Sequence, residues 1–154
     1  MSLKDKILAD LKTAMKTKDK DRLSVLRMIK AKILETEVSL RAERGRDYAL
    51  NDEEVMDVLT KYAKQRRESI ENYRNAGRDD NVAQEEAELA IVQEYLPKQL
   101  STEEITQLVQ AAIAESGAQS PRDMGKVMKI VVPQTKGVAD GKLVSQIVKD
   151  LLNG

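Results

Sequence analysis

Cysteine, histidine, phenylalanine and tryptophan are all absent from this 154-residue chain, and its only aromatic residues are four tyrosines. Without cysteine there is no disulfide, thiol nucleophile or thiolate metal site, and without histidine the commonest acid-base group and metal ligand is missing too. Most familiar enzyme mechanisms are removed by these two gaps, so no catalytic residue, metal ligand or cofactor is assigned. With so few aromatics the core must be aliphatic. The N-terminus, MSLKDKILADL, has no apolar run of signal-peptide length, and nothing later approaches the ~18 apolar residues of a membrane span. A cytoplasmic protein with no membrane partner is expected. Neither charge predominates: 26 Lys and Arg balance 26 Asp and Glu, which argues against coating nucleic acid by bulk electrostatics.

Charge is abundant all the same, at 34% of residues, and long segments carry helical periodicity while strand signals are nearly absent. The expected fold is all-α, with an N-terminal four-helix unit over residues 1–97 followed by a small three-helix C-terminal unit over residues 98–154. Charge is uneven along the chain. Residues 1–46 hold 13 basic against 7 acidic side chains and residues 47–97 hold 6 against 13, so the two segments are expected to pair.

Leu3, Ile7, Leu11 and Ala14 mark a first amphipathic helix from Ser2 to about Thr17, and Lys18 to Asp21 form a charged hinge. A long second helix from Arg22 to about Arg44 carries the stripe Leu23, Leu26, Ile29 and Ile33, widened by Val25 and Met28. Asn51 or Asp52 opens a third, with Val55, Leu59, Tyr62, Arg66, Ile70 and Tyr73 on one face. A fourth begins at Asp79 or Asp80, and Pro97 ends it. Ser101 and Glu104 form a capping-box pattern for a fifth helix that Gly117 closes.

The last stretch, Pro121 to Leu152, has the pattern of a helix, a glycine-bearing turn and a second helix. Ser120 is placed to cap the first, Pro121 takes its first position, and Met124, Val127, Met128 and Val131 share one face until Pro133 ends it. Gly137 opens the turn and Asp140 is placed to cap the last helix, striped by Val144, Ile147, Val148 and Leu151. Lys126, Lys129, Lys136 and Lys142 stand beside the stripes, placed either to hold a phosphate backbone or to form an ordinary solvated surface.

Within that stretch, GVADGK has the flavour of a phosphate loop. However, its glycines are one residue too close, Leu143 replaces the magnesium-binding hydroxyl, and no strand precedes it. Gly125 costs ~1 kcal/mol relative to Ala inside a helix. Close packing against another helix is the favoured explanation, with approach of a nucleic-acid backbone as the functional one. Gly141 follows the cap Asp140, whose carboxylate competes with a phosphate for the same amides. Lys64, Arg66, Arg67 and Arg74 alternate with Tyr62 and Tyr73, a pattern compatible with single-strand stacking. The tyrosines nevertheless fall on the apolar stripe, which favours core packing.

LSVLRMIKAKI at Leu23 to Ile33, KQRRESIENYRNAGRDD at Lys64 to Asp80, EYLPKQLS at Glu94 to Ser101, and DMGKVMK with GVADGKLVSQIVKDLL resemble the YqeY-like proteins over nearly the whole chain. The C-terminal unit is also similar to the tail of the B subunit of GatCAB, the tRNA-dependent amidotransferase. This resemblance implies a tRNA contact or a protein partner in the amidotransferase pathway. It places the contact on Gly125, Lys126, Lys129, Lys136, Gly137, Gly141 and Lys142. Val138 stands where a basic residue is usual in that turn. Labels of carbon-nitrogen ligase activity with glutamine as donor would derive from the shared tail, and the chain has no sign of the domains that perform that chemistry. The function expected is a noncatalytic tRNA-binding or amidotransferase-associated protein; the alternative is a helical protein-protein adaptor that makes no RNA contact.

Overall fold

A helix begins where a side chain can take up an orphan amide. In the computed structural model, which describes residues 1–154, Ser2 accepts from the Asp5 amide to open α1 (Leu3–Thr17). Asp19 accepts from Arg22 to open α2 (Lys20–Arg44). Asn51 with Glu54 and Ser101 with Glu104 form reciprocal capping boxes for α3 (Asp52–Asn75) and α5 (Thr102–Ser116). Between them α4 (Asp79–Gln93) has no side-chain cap, but Asp79 and Asp80 sit in its first turn, where carboxylates complement the helix dipole. A short 3-10 turn at Pro121–Asp123 leads into α6 (Met124–Thr135), and Asp140 caps α7 (Gly141–Asn153). The fold is all-α and contains no strand. No helix is long and apolar enough to cross a membrane.

Contacts group the chain into two compact units, Met1–Leu96 and Pro97–Gly154. The first is built on two helical hairpins. At the tip of the α1–α2 hairpin Lys18 takes the left-handed conformation (φ 57°) and its amide donates to Ala14, so the hinge is only two residues long. Ile7, Val25, Leu26, Ile29, Val55, Leu59 and Val92 are fully buried at the centre. Met28 departs from expectation: it is 49% exposed, because it lies outside the arc that Val25, Leu26, Ile29 and Ile33 span at ~100° per residue.

Glu37 continues that buried arc one turn further, although it is charged. Its Oε2 accepts from Lys4 Nζ at 2.8 Å and from the Leu50 amide at 2.9 Å. Burial pushes the carboxyl up, but the Lys4 ammonium and the Leu50 amide outweigh it and leave the group below its ordinary range. Arg22 with Glu94 and Arg44 with Glu54 join the basic first segment to the acidic second. Arg66 lies 5.1 Å from the centre of the Tyr62 ring and pairs with Glu85 and Glu88, so this part of the basic-aromatic pattern belongs to the packing of α3 against α4.

The second unit has an aliphatic core of Ile105, Val109, Ala112, Val127, Val131, Val144, Val148 and Leu152. Two local expectations fail in it. Pro133 lies inside α6 and does not end it. In the last turn its missing amide costs only the bond to Lys129, while Lys136 still donates to Val132 and the Thr135 hydroxyl to Val131. Ser120 makes no side-chain cap; Asp123 instead accepts from the Gln119 amide at 3.0 Å and tightens the 3-10 turn.

Candidate nucleic-acid interface

The turn between α6 and α7 is built by backbone bonds. The carbonyl of Thr135 accepts from both Val138 and Ala139 at 3.0 Å, and Gly137 supplies the positive φ (79°) that the reversal requires. From outside the hairpin the Leu100 amide donates to Val138 at 2.8 Å, and Gln99 Nε2 donates to the Gly137 carbonyl at 3.1 Å. The EYLPKQLS element therefore works in two halves. Tyr95 donates its hydroxyl to Asp10 and Glu94 holds Arg22 in the first unit, while Gln99 and Leu100 clamp the turn in the second. Neither the clamp nor the Asp10 partner was visible in the spacing, since both join distant residues through irregular backbone.

On α6, burial of Val127, Val131 and Thr135 turns the opposite face outward. Gly125, Lys126 and Lys129 are exposed there, with Gly125 and Lys129 one turn apart and Lys136 at the helix end. Lys126 is 3.6 Å from Asp123, a loose exposed pair, whereas Lys129 and Lys136 enter no ion pair. The Gln119 amide, with Lys126 beside it, holds the Asp123 carboxyl below its ordinary range.

Gly125 corrects the expectation of close helix packing, because a Cβ built there would meet nothing within 4 Å. The residue faces open space, so its helix cost has no packing reason within the unit. Gly141 is equally open, at the first position of α7. Asp140 accepts from the Lys142 amide at 3.3 Å, which places a carboxylate on the amides that a phosphate would need. The start of α7 is thus a poor anion site, and the α6 face is the better one. Val138 has both backbone groups engaged in the turn. Three cations were missed: Lys98, Arg122 and Lys149 are also exposed in this unit, and Arg122 lies in the 3-10 turn that leads into α6, a position that helical stripes alone did not single out.

A family model described as Yqey-like protein matches residues 4–152. Among curated proteins the chain is similar to "Altered inheritance of mitochondria protein 41, mitochondrial" of Pyrenophora tritici-repentis, at 32% identity over 151 residues, covering 96% of this chain and 79% of that one. The protein of the same name in Eremothecium gossypii is 36% identical over 87 residues, 56% of this chain and 45% of the relative. That of Saccharomyces cerevisiae is 32% identical over 87 residues, 56% and 44%. In these last two the chain spans less than half of the relative's length. The mitochondrial names correct the cytoplasmic expectation. Mitochondrial addresses are basic and amphipathic, so a reading of apolar runs does not bear on them.

Proposed function

Since the chain belongs to the YqeY-like family, we propose that its second unit holds tRNA by the phosphate backbone and catalyses no reaction itself, acting alone or beside a protein of the amidotransferase pathway. The observation that carries this is the open, glycine-marked face of α6. Gly125 leaves room for a backbone to come close, and Lys129, one turn on, has no competing carboxylate. Lysines hold phosphates as point charges and release counterions, so binding should be salt-dependent. The test is binding of the purified chain to bulk tRNA across a salt series, beside the Lys126→Gln, Lys129→Gln, Lys142→Gln triple variant. Weaker binding with a shallower salt dependence in the variant is expected; unchanged affinity and slope would remove the site from this face.

A protein-protein adaptor is favoured by a different observation. Leu34 and Val38, one turn apart on α2, are 51% and 54% exposed. Leu34 lines a groove of about 220 Å³ with Leu8, Ile33, Lys4 and Lys30. Retention of one specific protein after nuclease treatment, abolished by Leu34→Lys, would favour the adaptor over tRNA binding.

A further inference from the structure

The outward side of α2 holds more than Leu34 and Val38. At ~100° per residue, Leu23, Arg27, Lys30, Ala31, Leu34 and Val38 fall within an arc of about 100°, and no carboxylate of the helix falls among them. Glu37, just past one edge, is buried and spent on Lys4 and the Leu50 amide, and Glu35 lies beyond the other edge. Arg27 and Lys30 are exposed and enter no ion pair. Two grooves open along this row. One, of about 490 Å³, is lined by Leu23, Arg27 and Ala31 among others. The other is the groove of about 220 Å³ that Lys30 and Leu34 line. From Leu23 to Val38 the row runs ~22 Å, about four helical turns.

Resting on the adaptor reading above, we propose that this face binds an acidic amphipathic helix of another protein. Its apolar side chains enter the two grooves, and its carboxylates meet Arg27 and Lys30. Ala31, Leu34 and Val38 recur at i, i+3 and i+7, the spacing at which one helix reads another laid along it. The cations beside them select negative charge and fix the register. Other macromolecules match only half of this face. A phosphate backbone would neutralise Arg27 and Lys30 but leave Leu34 and Val38, 51% and 54% exposed, in water. A membrane would cover the apolar row, but helices that lie in the interface use Trp and Phe beside Leu. This chain has neither, and none of its four tyrosines is on α2.

The test uses the full chain and a fluorescent synthetic helix of about four turns, with Leu at i, i+3 and i+7 and Glu on both flanks, followed by anisotropy. Saturable binding is expected, and the same peptide with Lys in place of Glu should not bind. Leu34→Ser, at an exposed position, should weaken binding about 10-fold, the scale of one apolar side chain left in water. Arg27→Glu with Lys30→Glu should abolish binding of the Glu peptide and admit the Lys peptide, a reversal that a misfolded variant would not show. Anionic vesicles or a short oligoribonucleotide that bind with the same dependence on both variants would overturn the proposal in favour of lipid or nucleic acid. A mass that rises with protein concentration and is lost in those variants would overturn it in favour of a second copy. If the Glu peptide does not bind while a cellular protein is still retained through Leu34, the adaptor reading stands and an acidic helix is not its partner.

Discussion

The two units use charge in different ways. In Met1–Leu96 cations reach carboxylates across helices: Lys4 to Glu37, Arg22 to Glu94, Arg44 to Glu54, Arg66 to Glu85 and Glu88, Arg74 to Glu86. In Pro97–Gly154 the ion pair of Lys126 with Asp123 is local and exposed, and Arg122, Lys129, Lys136 and Lys149 face outward on a unit held by aliphatic packing and backbone turns. The lesson is that net charge poorly indicates where a polyanion would bind. Residues 1–46 are the most basic stretch of the sequence, yet several of their cations are engaged in structure and the first unit as a whole carries about as many carboxylates as cations; the second unit, with 7 basic against 6 acidic side chains, is nearly neutral, yet its cations are presented.

The largest effect should come from the smaller core. Ile105 is fully buried, and Ile105→Ala should cost about 2–5 kcal/mol. All four tyrosines, Tyr48, Tyr62, Tyr73 and Tyr95, lie in the first unit. Far-UV dichroism should therefore lose helix at lower temperature while the tyrosine signal melts where it did before. Coincident melting of both signals would show that the units do not respond separately.

Next comes the buried carboxylate. Glu37→Ala leaves the Leu50 amide unpaired and should destabilise the first unit by about 1–3 kcal/mol, read by tyrosine fluorescence in urea. Because the folded-state carboxyl lies below its ordinary value, its stabilisation is complete above ~4.3 and is lost as pH falls through the folded value. Lys4→Met removes the leading group that lowers it, so acid unfolding should move to higher pH. An unmoved acid midpoint would show that Glu37 is not held this way.

Ser101→Ala breaks a capping box and should cost about 1 kcal/mol, confined to the helical signal of the second unit. The smallest effect separates stability from function. With open space around it, Gly125→Ala should stabilise α6 by up to ~1 kcal/mol and yet weaken tRNA binding, since the new methyl stands where a backbone would approach. A stabilised variant with undiminished binding would leave Gly125 with no role at the interface.

Periodicity and caps made the all-α class and most helix starts legible, because Ser2, Asn51, Ser101 and Asp140 cap through local bonds. What escaped depended on distant partners or on position within a turn. Glu37 reads as a solvent residue until Lys4 and Leu50 are brought to it. Pro133 reads as a terminator, although the last helical turn tolerates it. At the candidate site the lysines were visible as residues flanking an apolar stripe. The emptiness around Gly125 exists only in three dimensions.

The most direct measurement is the salt dependence of tRNA binding for three proteins: the unaltered chain, the Lys126→Gln, Lys129→Gln, Lys142→Gln variant, and a matched Lys12→Gln, Lys16→Gln, Lys20→Gln variant in the more basic first segment. Each lysine that ceases to neutralise a phosphate should flatten the logarithmic slope by about 0.7–0.9. The second-unit variant should therefore lose about two units of slope, and the first-unit variant should keep the slope of the unaltered chain. Equal losses in both variants, or a loss only in the first-unit variant, would contradict a phosphate-binding face on α6.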